Sequence, residues 1–141
     1  MKTSMLKLSL ILATLISTQL LGAASAQSNP RSGFGTIKVQ EFISSNRIKV
    51  TIPKAVAVQL FNNLEEQEGR KSEDISVAYP TRETAVIVHS IVGLADDSVG
   101  GIRNRIELRR NQNKWEIVWV GRQYKCQSGR GHQDWSSSLC S

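Results

Sequence analysis

The run IRNRIELRRNQNKWEIVWVGRQYK, Ile102 to Lys125, reads as two strands and the turn between them. In its first half Ile102, Ile106 and Leu108 fall on one face, and Arg103, Arg105, Glu107 and Arg109 on the other. That is the period-2 alternation of a half-buried strand. Asn111-Gln112-Asn113 supplies hairpin-turn chemistry. The second half is apolar on both faces, with Trp115, Ile117 and Trp119 set against Val118 and Val120. A strand covered on both sides is expected inside a sheet.

Two more strands precede this hairpin. Glu73 to Tyr79 (EDISVAY) ends at Pro80, and Glu83 to Val92 (ETAVIVHSIV) is again apolar on both faces. The glycine-rich acidic stretch Gly93 to Gly101 is the loop that follows. Further upstream, Pro53 suits the first turn of a helix, where its missing N–H costs nothing. Lys54 to Glu68 then aligns Val56, Leu60, Phe61 and Leu64 in one stripe, with Gly69 as the stop. Thr36 to Phe42 and Arg47 to Ile52 alternate and are expected as short strands. The expected fold class is α+β, with one amphipathic helix packed on a curved antiparallel sheet. This order of elements resembles the cystatin-like and NTF2-like rolls. The glutamine-x-valine-x-glycine inhibitory hairpin of true cystatins is missing, and Ser90-Ile91-Val92-Gly93 does not match it, so protease inhibition does not carry over.

The chain begins as an export signal. Lys2 and Lys7 form a basic start, Leu8 to Leu21 is apolar, and Ala24-Ser25-Ala26 is a small-x-small cleavage pattern. Residues 1–26 are thus expected to leave, 27–35 (QSNPRSGFG) to form a flexible terminus, and 36–141 to form a single domain. The protein is expected in the periplasm or outside the cell, with no membrane span. Export favours pairing of Cys126 with Cys140. That disulfide would close a 15-residue loop, worth about 3 kcal/mol by chain entropy.

Charge is uneven along the chain. Of 18 basic residues, eight lie between Gly101 and Ser141, against three acidic ones. Such a field draws anions. The expected ligand contacts are Arg103, Arg105, Arg109, Arg122, Lys125, Arg130 and His132, on one basic face with the C-terminal loop at its rim. Gly129 and Gly131 permit positive φ on both sides of Arg130, which would project its guanidinium. The leading function is a non-enzymatic accessory protein that binds an anionic polysaccharide or another envelope component. Nucleic acid is not the expected partner of an exported chain. The alternatives are a small pocket enzyme using His89 with a carboxylate, and a structural interaction module. His89 sits mid-strand between Ile87 and Ile91 and so faces the core or a cavity.

Other chemistry lacks its spacing. Cys126, His132, Asp134 and Cys140 do not follow the CxxC or HxxxH patterns of zinc. Asp96 and Asp97 lack the calcium-loop repeat, and Gly100-Gly101 lacks any nucleotide-binding pattern. His132, Asp134 and Ser136 to Ser138 lack a nucleophile elbow. No cofactor is expected. Lastly, the run WVGRQYKCQSGRGHQDW resembles a C-terminal signature of small exported proteins of cyanobacteria. That resemblance implies an exported bacterial protein and brings no catalytic residue with it.

Overall fold

The computed structural model describes residues 29–63 and 69–141. The expected export signal, residues 1–26, and residues 64–68 of the expected long helix, Leu64 of its stripe included, lie outside these residues. In chain order the elements are β1 (Gly35–Ile37), α1 (Val39–Ser45), α2 (Pro53–Phe61), β2 (Ser72–Thr81), β3 (Thr84–Val92), β4 (Val99–Asn111) and β5 (Lys114–Cys126). All strand pairs are antiparallel, in the order β1-β5-β4-β3-β2. The α+β class and the four-strand meander stand, and among the described residues two helices, not one, cover a single face of the open sheet.

The extra helix corrects the reading of Thr36 to Phe42 as a strand. Only Gly35–Ile37 is strand, paired to Val120–Arg122 at the sheet edge. Beyond it Val39, Phe42 and Ile43 recur at i, i+3 and i+4. That helical spacing puts Phe42 into the core, 2% exposed. Arg47 to Ile52 is not a strand either. Ile48 is buried, but Val50 and Ile52 face outward. The Gln59 side chain substitutes for a neighbouring strand: its Oε1 accepts from Lys49 N at 2.7 Å, and its Nε2 donates to Val50 O at 2.8 Å. In α2, Pro53 takes the first position, and the buried stripe is Pro53, Val56, Ala57 and Leu60. This corrects the expected stripe at Phe61, which is half exposed.

The core lies between these helices and the facing rows of the sheet. Val77, Ile87, Ile106, Val120 and Ile37 are paired across five strands, and Ala85, Leu108 and Ile117 form a parallel row. Reaching both rows from β5 requires a bulge. Glu107 pairs with Trp119 and Leu108 with Ile117, so Val118 has no cross-strand partner. The extra residue reverses the face of everything before it. Ile117 and Val120 therefore both point to the helices, while Trp119 points away with Glu107. The expected grouping of Ile117 with Trp119 fails for this reason.

Two aromatic side chains meet across the sheet. Tyr79 on β2 and Trp115 on β5 are three strands apart, about 14 Å on a flat sheet. Their rings meet edge to face with centroids 6.3 Å apart. The opposite face is covered by the N-terminal segment, which composition alone marks as a flexible tail. From Asn29 onward it lies against β4 and β5. Arg31 bonds Glu107 and sits 4.6 Å above the Trp119 ring, whose edge meets Phe34. Trp119 in turn lies over Gly121, where a Cβ would collide with it. Cys126 and Cys140 form the expected disulfide. The tail it anchors runs back along β5, with Ser136 bridged to Tyr124. Among the described residues no helix is long and apolar enough to cross a membrane.

Candidate functional site

The helix side of the sheet is apolar in two rows and then changes character. In the next row His89 pairs with Asn104, and Asn104 with Arg122. Each occupies an inward position of its strand, between apolar neighbours two residues away. The helices cover the apolar rows and stop short of this one. The result is a cavity of about 220 Å³ whose polar lining is Ser45, Asn46, Asn63, Arg70, His89, Asn104 and Arg122. Ile91 and Ile102, one row further on, form part of its floor.

The polar groups are ordered by one another. Arg122 Nε donates to Asn104 Oδ1 at 2.8 Å. With that oxygen engaged, Asn104 offers its amide N–H groups, and Arg122 its terminal guanidinium nitrogens. Beside the cavity, on β2, Glu73 holds two of its lining residues. Its Oε1 lies 2.6 Å from His89 Nε2, and its Oε2 lies 2.5 Å from Arg70 Nη1. All three side chains are largely buried, with Glu73 13%, Arg70 14% and His89 5% exposed. Arg70 Nε is buried without an acceptor among the described residues. The site is thus rich in donors. Among the described residues the carboxylate beside it, that of Glu73, is already shared between a guanidinium and an imidazole.

The seven residues expected to form one basic face are divided. Arg122 faces the helices. Arg103, Arg105, Arg109 and Lys125 fall on the opposite face by their strand pairing. There Arg103 bonds Ser90 Oγ at 3.1 Å and stacks 4.2 Å from the Trp135 ring centroid, and burial lowers its pKa. Trp135 fits because Gly101 lies beneath it: a Cβ there would come within 3.0 Å of the ring. Arg105 bonds Glu107 at 2.9 Å, and Glu107 also receives Arg31. Arg31 foremost, then Arg105, holds the Glu107 carboxyl below the ordinary glutamate range, against the opposing effect of burial. Arg103 and Arg105 are therefore engaged within the fold, with the single Glu107 carboxylate shared between Arg105 and Arg31.

Arg130 and His132 lie in the disulfide loop. Gly129 and Gly131 take φ of 78° and 136°, as their placement around Arg130 suggests. The Arg130 N–H is not available to an anion, since it donates to Gln127 O at 3.0 Å. Both nitrogens of His132 face backbone carbonyls. Cys126, His132 and Cys140 are also a cluster of metal-ligating residue types. With the sulfurs in a disulfide and the ring committed to two carbonyls, the donor set does not fit a metal. Asp96 is likewise occupied: its Oδ1 accepts from Ser98 N and Val99 N, and these bonds lower its pKa.

Of the polar lining, sequence reading missed Ser45, Asn46, Asn63, Arg70 and Asn104, and behind it Glu73. Asn104 carried a signal, as the one polar residue in the inward series Ile102, Asn104, Ile106, Leu108. Comparison of the chain with protein-family models, curated proteins and solved structures gives no match.

Proposed function

We propose that this is an exported, non-enzymatic binding protein that holds an anionic group, such as the carboxylate, sulfate or phosphate of a glycan-like envelope component, in the helix-side cavity. The observation that carries this reading is the polar row His89–Asn104–Arg122 across three adjacent strands at the wall of that cavity. Three inward polar residues in register are costly in a core unless something uses them. Arg122 is the anchoring cation, Asn104 the neighbouring donor, and Arg70 the second positive charge. The cavity suits a charged substituent or one small sugar acid, not a polymer chain, so a polysaccharide would present an end or a side group. Export is supported by the leader-like start, the disulfide and the resemblance of the C-terminal run to exported cyanobacterial proteins.

Titration of the oxidised domain with sulfate, phosphate and glucuronate, followed by backbone amide shifts, tests the assignment. Shifts should converge on Asn46, Asn104 and Arg122, while glucose should leave them unmoved. Shifts confined to the Arg103–Arg109 face would reject the cavity as the site.

A second reading has its own observation. The 2.6 Å contact of Glu73 with His89 Nε2 is the arrangement that orients an imidazole for proton transfer. On that reading His89→Asn abolishes turnover of a bound compound while its affinity persists. Unchanged turnover in that variant removes the reading.

A further inference from the structure

His132 stands where the C-terminal segment folds back on β5. Its Nδ1 lies 2.8 Å from Asp134 O, and its Nε2 3.0 Å from Ser138 O. A carbonyl only accepts, so each contact needs an N–H on the ring. Neutral imidazole has one N–H and imidazolium has two. The two carbonyls bracket Trp135, which stacks on Arg103, and Ser136, which exchanges two backbone hydrogen bonds with Tyr124. The backbone carbonyl of His132 itself accepts from Cys126 N at 3.0 Å. One ring therefore ties together both ends of the segment that seats the disulfide loop on the sheet.

We propose that His132 is a proton-dependent clasp: as the imidazolium it locks residues 134–138 onto β5, and on losing a proton it releases one of the two carbonyls and loosens the segment. The direction follows from geometry, because only the charged ring satisfies both acceptors. The same two backbone bonds, Ser138 first and then Asp134, raise the ring's pKa above its ordinary value, and the Asp134 charge adds to this. Asp134 is the charged side chain that acts on the ring, Arg130 lies in the same loop, and Lys125 adjoins Cys126 on β5. The clasp is complete at low pH and is lost as pH rises through the raised folded value. Loosening exposes the disulfide and frees the Arg103 guanidinium from Trp135.

The test uses the oxidised wild-type domain. Ring ¹⁵N shifts of His132 are followed from pH 5 to 9. In parallel, the rate of disulfide reduction by a water-soluble phosphine is measured and divided by the rate for the urea-unfolded protein at the same pH. We expect both ring nitrogens protonated at pH 6, and a normalised reduction rate that rises about tenfold or more across the His132 titration, the effect of losing one charge-assisted hydrogen bond. His132→Gln should abolish that pH dependence. A neutral His132 ring at pH 6, or a wild-type reduction ratio that does not change with pH, overturns the proposal. Both wild-type measurements decide the matter even if the variant does not fold.

Discussion

Replacing Glu73 by Gln tests whether the ion-pair network behind the cavity lining is a buried framework or a solvated surface. The substitution keeps the shape of the side chain and removes its charge. Glu73 binds His89 through one oxygen and Arg70 through the other, and Glu73 and Arg70 are only 13% and 14% exposed. Two magnitudes compete. An exposed ion pair contributes about 0–1 kcal/mol. Breaking a buried pair by removing one partner costs about 3–5 kcal/mol, because the other charge is left unmatched. Burial of this degree places Glu73→Gln near the lower end of the second range, about 3 kcal/mol. For a domain near 100 residues that is a fall in Tm of about 15 °C, and in urea a midpoint lower by about 2 M at an m-value of about 1.5 kcal/mol/M. Urea unfolding at pH 7, with a constant m-value, is the assay. Arg70→Met combined with Glu73→Leu should recover part of the loss, since no unmatched charge remains, while His89 Nε2 still loses its acceptor. A loss below about 1 kcal/mol in Glu73→Gln would refute the reasoning and place the pair in water.

Other consequences are direct. Gly121→Ala places a methyl against the Trp119 ring and should cost about 1–3 kcal/mol in urea unfolding, with the loss reduced in a Trp119→Leu background. Replacing Cys126 and Cys140 together by Ala should lower stability by about 3 kcal/mol through loop entropy, again read by urea unfolding. The Glu107 carboxyl has a lower pKa folded than unfolded. Its contribution is therefore complete above the ordinary glutamate value, about 4.3, and is lost as pH falls through the depressed folded value. Stability measured from pH 7 to 3 should accordingly fall less steeply in Glu107→Gln than in wild type.

Much of the sheet was legible because its signals are local. The alternation of Ile106, Glu107, Leu108 and Arg109 and the Asn-Gln-Asn turn each act within a few residues, and the two cysteines had only each other to pair with. The misreadings share a different cause. Val39 and Ile37 alternate like a strand, but Phe42 and Ile43 continue at helical spacing, and only the tertiary core selects between the two. Arg47 to Ile52 has strand composition, yet its backbone is satisfied by the Gln59 side chain, which no periodicity reveals. The bulge at Val118 changes which face Ile117 occupies, and a sequence in which both faces are apolar carries no mark of it.

The site shows the same division. His89, Asn104 and Arg122 each interrupt an apolar series in their own strand, and each interruption is visible alone. That they stand side by side depends on the registers of two hairpins. Counting charges suggested a basic face instead. Arg103 and Arg105 are real parts of that face, but Trp135 and Glu107 engage them there. Arg122, grouped with them by sequence proximity, faces the other way.

The measurement that bears most directly on the central claim is the affinity of sulfate or glucuronate for three proteins: wild type, Arg122→Gln and Arg109→Gln. Removing a charge-assisted hydrogen bond costs about 1.5–3 kcal/mol, so Arg122→Gln should raise Kd by about tenfold or more, while Arg109→Gln, on the opposite face, leaves it within about twofold. An affinity that falls with Arg109→Gln and survives Arg122→Gln would contradict the account.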